Sequence, residues 1–236
     1  MIDAQASNIV LIAGCNGALG AALCASFLDR GFHVFGCSRS PAQITHERFA
    51  HHAADLSREE GVLDWMNAVD ARGATPGILI LNAAKPAHGV LPTVREKDLM
   101  ETLNVNWLGP CLVVRECMKR MMARKWGRIV AMTSICASQP MRGAGAYSMS
   151  KVALEQLIRQ TALEAGRYGI TANAVAIPVL ETGMAESLSE ELRAEIVRRC
   201  AIPRCCTPED VWNAVEFFVR PESSYVTGQI LHLGFI

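Results

Sequence analysis

The sequence predicts a single-domain α/β fold, a doubly wound parallel sheet with helices on both faces. Its 236 residues suit one large domain, and half of them are hydrophobic, which is enough to bury a substantial core. Short apolar runs alternate with amphipathic runs along the chain. The apolar runs show no polar alternation, which indicates strands that are buried on both faces. Right-handed crossovers between such strands would place a ligand site at their carboxyl ends.

The individual elements follow from this alternation. Six strands are predicted, at 8–14, 33–39, 77–84, 127–134, 170–177 and 228–234. The main helices are predicted at 18–31, 59–73, 96–125, 151–169 and 207–219. The first helix stops at Gly31, and the last begins with the helix-entry signal Thr207-Pro208. No internal repeat or long linker interrupts these elements, so we expect residues 1–236 to form one unit.

The composition argues against several classes of function. The chain carries 23 basic and 23 acidic residues, and this balance removes the electrostatic motive for general binding to nucleic acid. No apolar run approaches the roughly 20 residues that span a bilayer, and residues 1–14 lack the pattern of a signal peptide. The nine cysteines include no C-x-x-C pair, and no histidine completes a zinc spacing with Cys200, Cys205 and Cys206. We therefore expect a cytoplasmic protein with reduced thiols and no metal or membrane partner.

A glycine-rich turn joins the first predicted strand to the first helix. In I-A-G-C-N-G-A-L-G, three glycines would let the backbone turn tightly and approach a pyrophosphate, which the helix N-terminus would stabilise. Glycines alone are also typical of a plain turn, but this position favours dinucleotide binding and a Rossmann-type fold. The predicted contacts in the turn are Gly14, Asn16, Gly17, Ala18, Leu19 and Gly20.

The end of the second predicted strand indicates which dinucleotide binds. Rossmann domains that prefer NAD carry an acidic residue there, which bonds the ribose hydroxyls. This chain has Ser38 and Arg39 instead. A guanidinium can pair with a 2′-phosphate, whereas a carboxylate would repel it. We therefore predict NADP(H) rather than NAD(H), with a solvated surface arginine as the alternative.

Tyr147 and Lys151 stand four residues apart in Y-S-M-S-K. On a helix such a pair shares one face, and a lone pair of this kind is usually a surface feature. The chain also contains N-A-A at 82–84 and N-V-N-W-L-G at 104–109. With these motifs and the glycine-rich turn, the sequence resembles the short-chain dehydrogenase/reductase family over nearly its whole length.

This resemblance implies a set of functional residues. The catalytic set would be Asn106, Ser134, Tyr147 and Lys151. Further contacts to the cofactor would come from Ser38, Arg39, Asp55, Leu56, Asn82, Ala83, Ala84, Tyr147, Lys151, Leu180 and Thr182. The substrate would contact Ser134, Ile135, Met141 and Tyr147.

The implied roles agree with the chemistry of these residue types. A phenol has a reference pKa of about 10 and donates its proton poorly at neutral pH. The Lys151 ammonium and the positive charge of an oxidised nicotinamide would favour the phenolate of Tyr147 and lower that pKa. Tyr147 would protonate a carbonyl oxygen as hydride arrives, while Ser134 donates a hydrogen bond to the same oxygen. Asn106 would fix a water that returns the proton through Lys151.

The last third of the chain is most similar to 3-oxoacyl-[acyl-carrier-protein] reductases. The similarity lies in P-E-D-V at 208–211, N-A-V at 213–215 and S-S-Y-V-T-G-Q at 223–229. It implies NADPH-dependent reduction of a 3-oxoacyl thioester in fatty acid or polyketide-type synthesis, a mobile lid at about 183–203, and a homotetramer. It also implies that an acyl carrier protein docks beside the cleft on a basic patch of Arg124, Lys125, Arg128 and Arg167.

Some residues depart from the family pattern, and two alternatives stay open. Ala18 stands where relatives have the second glycine of the turn, and Ile177-Pro178 replaces a proline-glycine pair beside the nicotinamide. An NADP-dependent carbonyl reductase or alcohol dehydrogenase for a free small molecule would carry the same catalytic residues. A non-catalytic partner subunit of a reductase assembly would keep the fold without needing Tyr147 or Lys151.

Overall fold

The computed structural model describes residues 8–183 and 189–235 of the chain. Its centre is one seven-stranded sheet of spatial order β3-β2-β1-β4-β5-β6-β7, in which every neighbouring pair of strands is parallel. The strands are β1 (Ile9–Ala13), β2 (His33–Ser38), β3 (Phe49–Ala53), β4 (Ile78–Leu81), β5 (Gly127–Ser134), β6 (Ile170–Ile177) and β7 (Ile230–His232). This is the doubly wound α/β topology that the alternating sequence predicts.

Helices connect the strands and cover both faces of the sheet. They are α1 (Ala18–Asp29), α2 (Glu59–Asp70), α3 (Glu96–Leu103), α4 (Gly109–Arg124), α5 (Ile135–Ser138), α6 (Gly145–Ala165), α7 (Glu190–Arg199) and α8 (Pro208–Val219). The start of α8 agrees with the sequence signal, because Thr207 and Asp210 each accept a hydrogen bond from the other's backbone amide. A capping box of this kind satisfies two amides that the helix itself leaves unpaired.

The sheet separates two hydrophobic cores. On one face, Trp65 of α2 packs with side chains of α4 and α6. On the other face, the Phe27 ring of α1 meets the Trp212 ring of α8 edge to face, with centroids 4.8 Å apart. Successive residues of β1 alternate between the two cores, Val10 in one and Leu11 in the other. Such strands have no polar face, which explains their continuous apolar sequences.

The chain changes direction across the sheet between β1 and β4. β1 pairs with β2 on one side and with β4 on the other. The connections from β1 lead outward to β2 and β3, whereas β4 begins the other half of the sheet. Connections that diverge to opposite sides leave a crevice at the carboxyl ends of the strands, and open α/β sheets bind their ligands there.

β3 is a strand that the sequence analysis did not predict. It reads F-A-H-H-A and lies at the edge of the sheet, where it pairs with β2. None of its residues is fully buried. The segment lacks β-branched residues and contains two histidines, so it shows neither the apolar run nor the alternation that marks a strand.

The helix predicted at 96–125 is divided in the structure. A π-helical turn, Asn104–Leu108, separates α3 from α4. Gly109 follows it, and a Cβ atom there would lie only 2.4 Å from the Leu56 carbonyl oxygen. The glycine therefore lets α4 begin against the loop after β3. Turns of this type often occur at functional sites.

The basic patch predicted beside the cleft contains one residue that cannot contact a partner. Arg128 is 1% exposed, so its inclusion in the patch is wrong. Its guanidinium donates to the carbonyl oxygens of Gly127 and Gly169 and lies 4.8 Å from the centre of the Trp126 ring. The Arg128 side chain joins the amino ends of β5 and β6 inside the protein.

The other three residues of that patch lie at the wrong end of the sheet. Arg124 and Lys125 immediately precede β5, and Arg167 precedes β6. They are exposed, but at the amino ends of the strands. The length of β5, roughly 25 Å for an extended strand of this size, separates them from Ser134. The predicted position beside the cleft is therefore wrong for the single chain.

No helix in the described parts of the chain is long and apolar enough to cross a membrane.

Candidate active site

A cleft of about 580 Å³ opens at the carboxyl ends of the strands, a size that suits a cofactor with a small substrate. It brings together most of the predicted site residues. Those that line it are Gly14, Asn16, Gly17, Ala18, Leu19, Ser38, Arg39, Asp55, Leu56, Asn82, Ala83, Ala84, Ser134, Met141, Tyr147, Lys151, Leu180 and Thr182. The predicted site residues that do not line the cleft are buried: Gly20, Asn106 and Ile135.

Close packing fixes the glycine-rich turn against the end of β4. A Cβ atom on Gly20 would lie 2.0 Å from the Gly14 carbonyl oxygen. Gly14 has a φ of +84°, and a Cβ atom there would lie 2.5 Å from the Ala83 nitrogen. The Asn82 side chain donates to the Gly14 carbonyl oxygen over 2.8 Å. The Asn82 side chain therefore positions the turn.

Gly17, in contrast, leaves open space. It caps the N-terminus of α1 with an extended conformation, and a Cβ atom there would meet no protein atom within 4 Å. No side chain of the described residues caps this helix end, whose first residue is Ala18. Unpaired amides at a helix N-terminus bind anions. The space above Gly17 therefore suits a pyrophosphate, and Ala18 is accommodated as an ordinary helical residue.

Arg39 and Asp55 lie at one end of the cleft. The exposed Arg39 side chain makes no hydrogen bond or ion pair with any residue that the structure describes. Partial burial acts to raise the pKa of Asp55, but hydrogen bonds from Ser57 and the charges of Arg39 and Arg58 outweigh it, so this pKa lies below its ordinary value. Arg39 thus keeps its donors available for a ligand.

Ser134, Tyr147 and Lys151 meet at the centre of the cleft. Ser134 ends β5, and Tyr147 and Lys151 lie one turn apart on α6. The Lys151 Nζ atom is 5.6 Å from the centre of the Tyr147 ring, and it donates to the Met132 carbonyl oxygen over 2.8 Å. The Ser134 hydroxyl lies within reach of the Tyr147 hydroxyl, where hydrogen bonding acts to lower the Tyr147 pKa. Strand β5 and helix α6 together therefore build the arrangement that the motifs predict.

Burial dominates the ionisation of this group. It raises the pKa of Tyr147 above its ordinary value; the charge of Cys136 adds to the effect, and the hydrogen bond with Ser134 opposes it. Burial also lowers the pKa of Lys151 to about 8. The predicted lowering of the Tyr147 pKa by Lys151 is therefore not found in this structure. Tyr147 is a neutral phenol at pH 7, the form that a proton donor requires.

Asn106 is fully buried within the π-helical turn, beneath the cleft. Its amide nitrogen donates to the Lys85 carbonyl oxygen and to Ser150 Oγ, both over 2.9 Å, and its side-chain oxygen accepts from the Lys85 amide over 2.7 Å. Ser150 in turn donates to the Tyr147 carbonyl oxygen over 2.7 Å. Through these bonds, Asn106 fixes the start of α6 against the loop after β4. The predicted water held near Asn106 stays a prediction.

The substrate side of the cleft is largely apolar, but Ile135 is not part of it. Ile135 is 1% exposed and belongs to a small core under the cleft, so its predicted contact with substrate is wrong. The first turn of α5 directs Ile135 inward. Cys136, the next residue, lines the cleft beside Met141, with 3.5 Å between their sulfur atoms.

Two loops form the outer wall of the substrate side. The Gly89 amide donates to the Gly143 carbonyl oxygen over 2.9 Å, which joins the loop after β4 to the loop before α6. Exposed His88 and Arg142 sit beside this bond and line the cleft. No motif in the sequence marks either His88 or Arg142.

The segment after β6 closes the cleft on the opposite side. Thr182 Oγ1 is buried and has no hydrogen-bond partner among the described residues. Of the predicted lid, residues 184–188 lie outside the described residues. Ser189 caps α7, whose Leu192 and Ile196 side chains line the cleft together with Val179. The lid therefore contributes apolar wall, while its mobility stays a prediction.

The residues present fit a nicotinamide dinucleotide. Among the described residues, no side chain caps the helix end at Gly17, which provides room for a pyrophosphate, and none pairs with the donors of Arg39. The buried Thr182 hydroxyl, which has no partner within residues 8–183 and 189–235, would gain one from a bound polar group. Leaving such a group unpaired costs about 1 to 3 kcal/mol. Within residues 8–183 and 189–235, no cluster of histidine, cysteine and acidic side chains could hold a metal ion.

Comparison with known proteins agrees with this site. The family model described as enoyl-(acyl carrier protein) reductase matches residues 14–234. A 3-oxoacyl-[acyl-carrier-protein] reductase from Rickettsia bellii (strain RML369-C) is 27% identical over 99% of this chain and 98% of its own. An acetoacetyl-CoA reductase from Synechocystis sp. is 28% identical, covering 96% of this chain and 95% of its own.

Two solved structures superpose on nearly the whole chain. Actinorhodin polyketide ketoreductase with NADPH superposes with a TM-score of 0.88 at 26% identity, covering 97% of this chain and 96% of that one. A short-chain dehydrogenase from Leptospira borgpetersenii with bound NAD⁺ superposes with a TM-score of 0.89 at 21% identity, covering 97% and 92%. At that lower identity the likeness concerns the fold alone.

A parallel doubly wound sheet with a Tyr-Lys pair beside a glycine-rich dinucleotide turn defines a class of nicotinamide-dependent oxidoreductases. This chain belongs to the short-chain dehydrogenase/reductase family. It is an oxidoreductase that acts on CH–OH and C=O groups, as the motifs predict.

Proposed function

We propose that the protein reduces a 3-oxoacyl thioester to the 3-hydroxyacyl thioester with NADPH. The observation that carries the proposal is the convergence of Ser134, Tyr147 and Lys151 beside the glycine-rich turn in one cleft. Relatives named as 3-oxoacyl-[acyl-carrier-protein] and acetoacetyl-CoA reductases, which match nearly the whole chain, support the thioester substrate.

The cofactor preference rests on Arg39. Gly17 and the start of α1 would hold the pyrophosphate, Asp55 and Leu56 the adenine end, and Thr182 and Lys151 the nicotinamide end. The unpaired Arg39 guanidinium would bind the 2′-phosphate that distinguishes NADPH from NADH. When bound, the nicotinamide supplies hydride to the substrate carbon.

Side chains of the protein donate the proton and return it after the reaction. Tyr147 donates its phenolic proton to the ketone oxygen; the phenol is protonated at pH 7 even at its ordinary pKa, and burial raises that pKa further. The Ser134 hydroxyl donates a hydrogen bond where negative charge develops on that oxygen. The Lys151 ammonium lies beside the ring. Together with the positive charge of an oxidised nicotinamide, it would offset the effect of burial, stabilise the phenolate that remains and start the path by which a proton returns.

The apolar wall indicates where the acyl group lies. Cys136, Met141, Val179, Leu192 and Ile196 surround the space in front of Tyr147. Burying an alkyl chain there stabilises the complex by roughly 0.8 kcal/mol for each methylene group. An acyl chain gains this contribution, whereas a small polar ketone does not.

We also propose that the enzyme acts as a homotetramer and receives its substrate from an acyl carrier protein. Large apolar side chains are exposed on neighbouring helices, among them Trp107 in the π-helical turn and Met149 and Val152 of α6. Such faces mark association surfaces in soluble proteins. The names of the relatives support the carrier protein, and its docking surface must differ from the patch at the amino ends of the strands.

The test is a substrate panel followed through NADPH oxidation. A short 3-oxoacyl thioester, its carrier-protein form, a simple ketone and a 2-enoyl thioester are compared with NADPH and with NADH. The 3-oxoacyl thioesters and NADPH should give the highest kcat/KM. Tyr147→Phe should lower kcat by at least about 1,000-fold, because the proton donor is lost, while NADPH still binds.

Three outcomes would contradict the proposal. Preferred turnover of the simple ketone would favour a carbonyl reductase for a free small molecule, the alternative that the shared catalytic residues leave open. Preferred turnover of the 2-enoyl thioester would indicate reduction of a C=C bond. A Tyr147→Phe variant with near-normal turnover would contradict the assignment of the acid.

A further inference from the structure

The loop that carries Arg39 is held by three side chains from three different elements. Asn16 belongs to the glycine-rich turn, Ser38 ends β2, and His51 lies in β3. We propose that these three residues, the Arg39 clasp, preset the Arg39 guanidinium for the 2′-phosphate of NADP(H). Asn16 and His51 are then positioning residues for cofactor selection. The inference rests on the proposed preference for NADPH and goes beyond it.

Ser38 fixes the backbone on both sides of Arg39. Its hydroxyl donates to the Ser40 carbonyl oxygen over 2.8 Å and lies 2.8 Å from His51 Nε2. A serine hydroxyl has one hydrogen, and that hydrogen is used by Ser40. With that hydrogen so placed, the arrangement favours the His51 tautomer in which Nε2 donates in the second bond. The Ser38 hydroxyl is thus occupied within the protein, so its predicted place in the cofactor site is as a support for Arg39.

Asn16 holds the same loop from the opposite direction. Its side-chain nitrogen lies 2.6 Å from the Ser40 carbonyl oxygen, 2.8 Å from that of Pro41 and 3.1 Å from Ser40 Oγ. The Ser40 carbonyl oxygen therefore accepts from both Asn16 and Ser38. These bonds connect the turn that faces the pyrophosphate to the loop that faces the 2′-phosphate.

The arrangement explains how an exposed arginine can select a cofactor. Arg39 itself has no hydrogen-bond or ion-pair partner in the described part of the chain, and its charge acts on Asp55 at the same end of the cleft. A flexible loop would lose conformational entropy when a phosphate orders it, and this loss would weaken binding. Because the clasp has already ordered the backbone, little entropy is lost on binding, and most of the free energy of the Arg39–phosphate interaction contributes to affinity.

The two histidines of β3 provide a matched control. His51 and His52 are consecutive in a strand, so their side chains point to opposite faces. His51 bonds Ser38, whereas His52 Nε2 lies 2.8 Å from Asp64 of α2. A change at His52 disturbs the same strand to a similar degree but leaves the clasp untouched.

The experiment measures binding by calorimetry and needs no turnover. Adenosine 2′,5′-bisphosphate and 5′-AMP are titrated into the wild type, Asn16→Ala, His51→Ala, His51→Gln and His52→Ala. Loss of hydrogen bonds of this kind should weaken bisphosphate binding about tenfold in Asn16→Ala and about threefold in His51→Ala, with little change for 5′-AMP. His51→Gln, which keeps a donor at the same reach, should restore binding, and His52→Ala should match the wild type. Circular dichroism confirms that each variant is folded.

The outcomes separate the two proposals. If the wild type binds both nucleotides equally, the preference for NADPH fails and the inference fails with it. If the wild type prefers the bisphosphate but Asn16→Ala and His51→Ala do so equally well, the clasp alone is refuted. Equal weakening of both nucleotides would also refute it, because Asn16 would then only support the glycine-rich turn. If Asn16→Ala does not fold, the comparison of His51→Ala with His52→Ala decides.

Discussion

At the scale of the residue, Lys151 shows how strongly burial controls this site. The side chain is 2% exposed, and its ammonium has one carbonyl partner, that of Met132. Burial lowers the pKa of Lys151 to about 8, from a reference of 10.5. In the folded protein, the charged form of Lys151 therefore carries a free-energy cost that is absent in the unfolded chain.

This cost predicts a pH dependence of stability. Between the two pKa values the unfolded chain binds more protons, so the wild type gains roughly 1.4 kcal/mol of stability per pH unit from this group as pH rises. The penalty is complete below pH 8 and disappears near pH 10.5. The free energy of unfolding of Lys151→Met, minus that of the wild type, should fall by about 2 to 3 kcal/mol between about pH 7 and pH 10.

Denaturant unfolding at a series of pH values measures this difference. Lys125→Met, which removes a lysine charge at an exposed site, is the control. A difference for Lys151→Met that is independent of pH would contradict the effect of burial.

The positions of individual side chains could be predicted where a motif specifies them, but not where a short turn decides the direction of the side chain. Ser134, Tyr147 and Lys151 converge as their motifs predict. Ile135 and Cys136 are neighbours of similar apolar character, and the sequence favoured the wrong one for the cleft. Only the cap that Ser134 gives α5, accepting from the Cys136 amide, sets which of the two points inward.

At the scale of the element, the glycine-rich turn offers a matched pair of substitutions. A methyl group on Gly17 meets no protein atom, whereas one on Gly20 meets the Gly14 carbonyl oxygen at 2.0 Å. Gly17→Ala should keep the free energy of unfolding within about 0.5 kcal/mol of the wild type. It should nevertheless weaken cofactor binding at least about tenfold, because the methyl group enters the pyrophosphate space.

Gly20→Ala should instead destabilise the protein, by about 1 to 3 kcal/mol, because backbone atoms must move. Thermal melts and cofactor titrations of both variants separate the two effects. Equal losses of stability would show that Gly17 serves packing, and tight cofactor binding by Gly17→Ala would place the pyrophosphate elsewhere.

Most elements could be predicted from hydrophobic periodicity, and the exceptions share a physical cause. β3 is held by backbone pairing with β2 and by its histidines, so its sequence has no apolar signal. The π-helical turn at Asn104–Leu108 has the composition of ordinary helix. It depends on tertiary bonds from Asn106 to Lys85 and Ser150, which local propensity cannot reveal.

At the scale of the whole molecule, the distribution of charge decides where an acidic carrier protein can approach. Arg124 and Arg167 lie at the amino ends of β5 and β6, whereas Arg142 lines the cleft. The double variant Arg124→Glu/Arg167→Glu should change kcat/KM for a carrier-bound substrate by less than about twofold, while Arg142→Glu should lower it about tenfold.

Initial rates at low ionic strength measure this contrast, and a thioester without carrier protein is the control. A large loss of kcat/KM in the double variant would mean that Arg124 and Arg167 reach the cleft of another copy of the chain. The sequence could not distinguish these positions, because all are arginines in loops or at helix ends, and only the direction of the strands shows which edge of the sheet they occupy.

The bond between Gly89 and Gly143 affects how such an enzyme can diverge. It joins two loops beside Tyr147, the proposed proton donor, so mutations there put the chemistry at risk. On the opposing side of the cleft, Leu192 and Ile196 project from α7, away from this bond. New preferences for the length of the acyl chain should therefore arise from larger or smaller side chains at these two positions, without a change in the reaction.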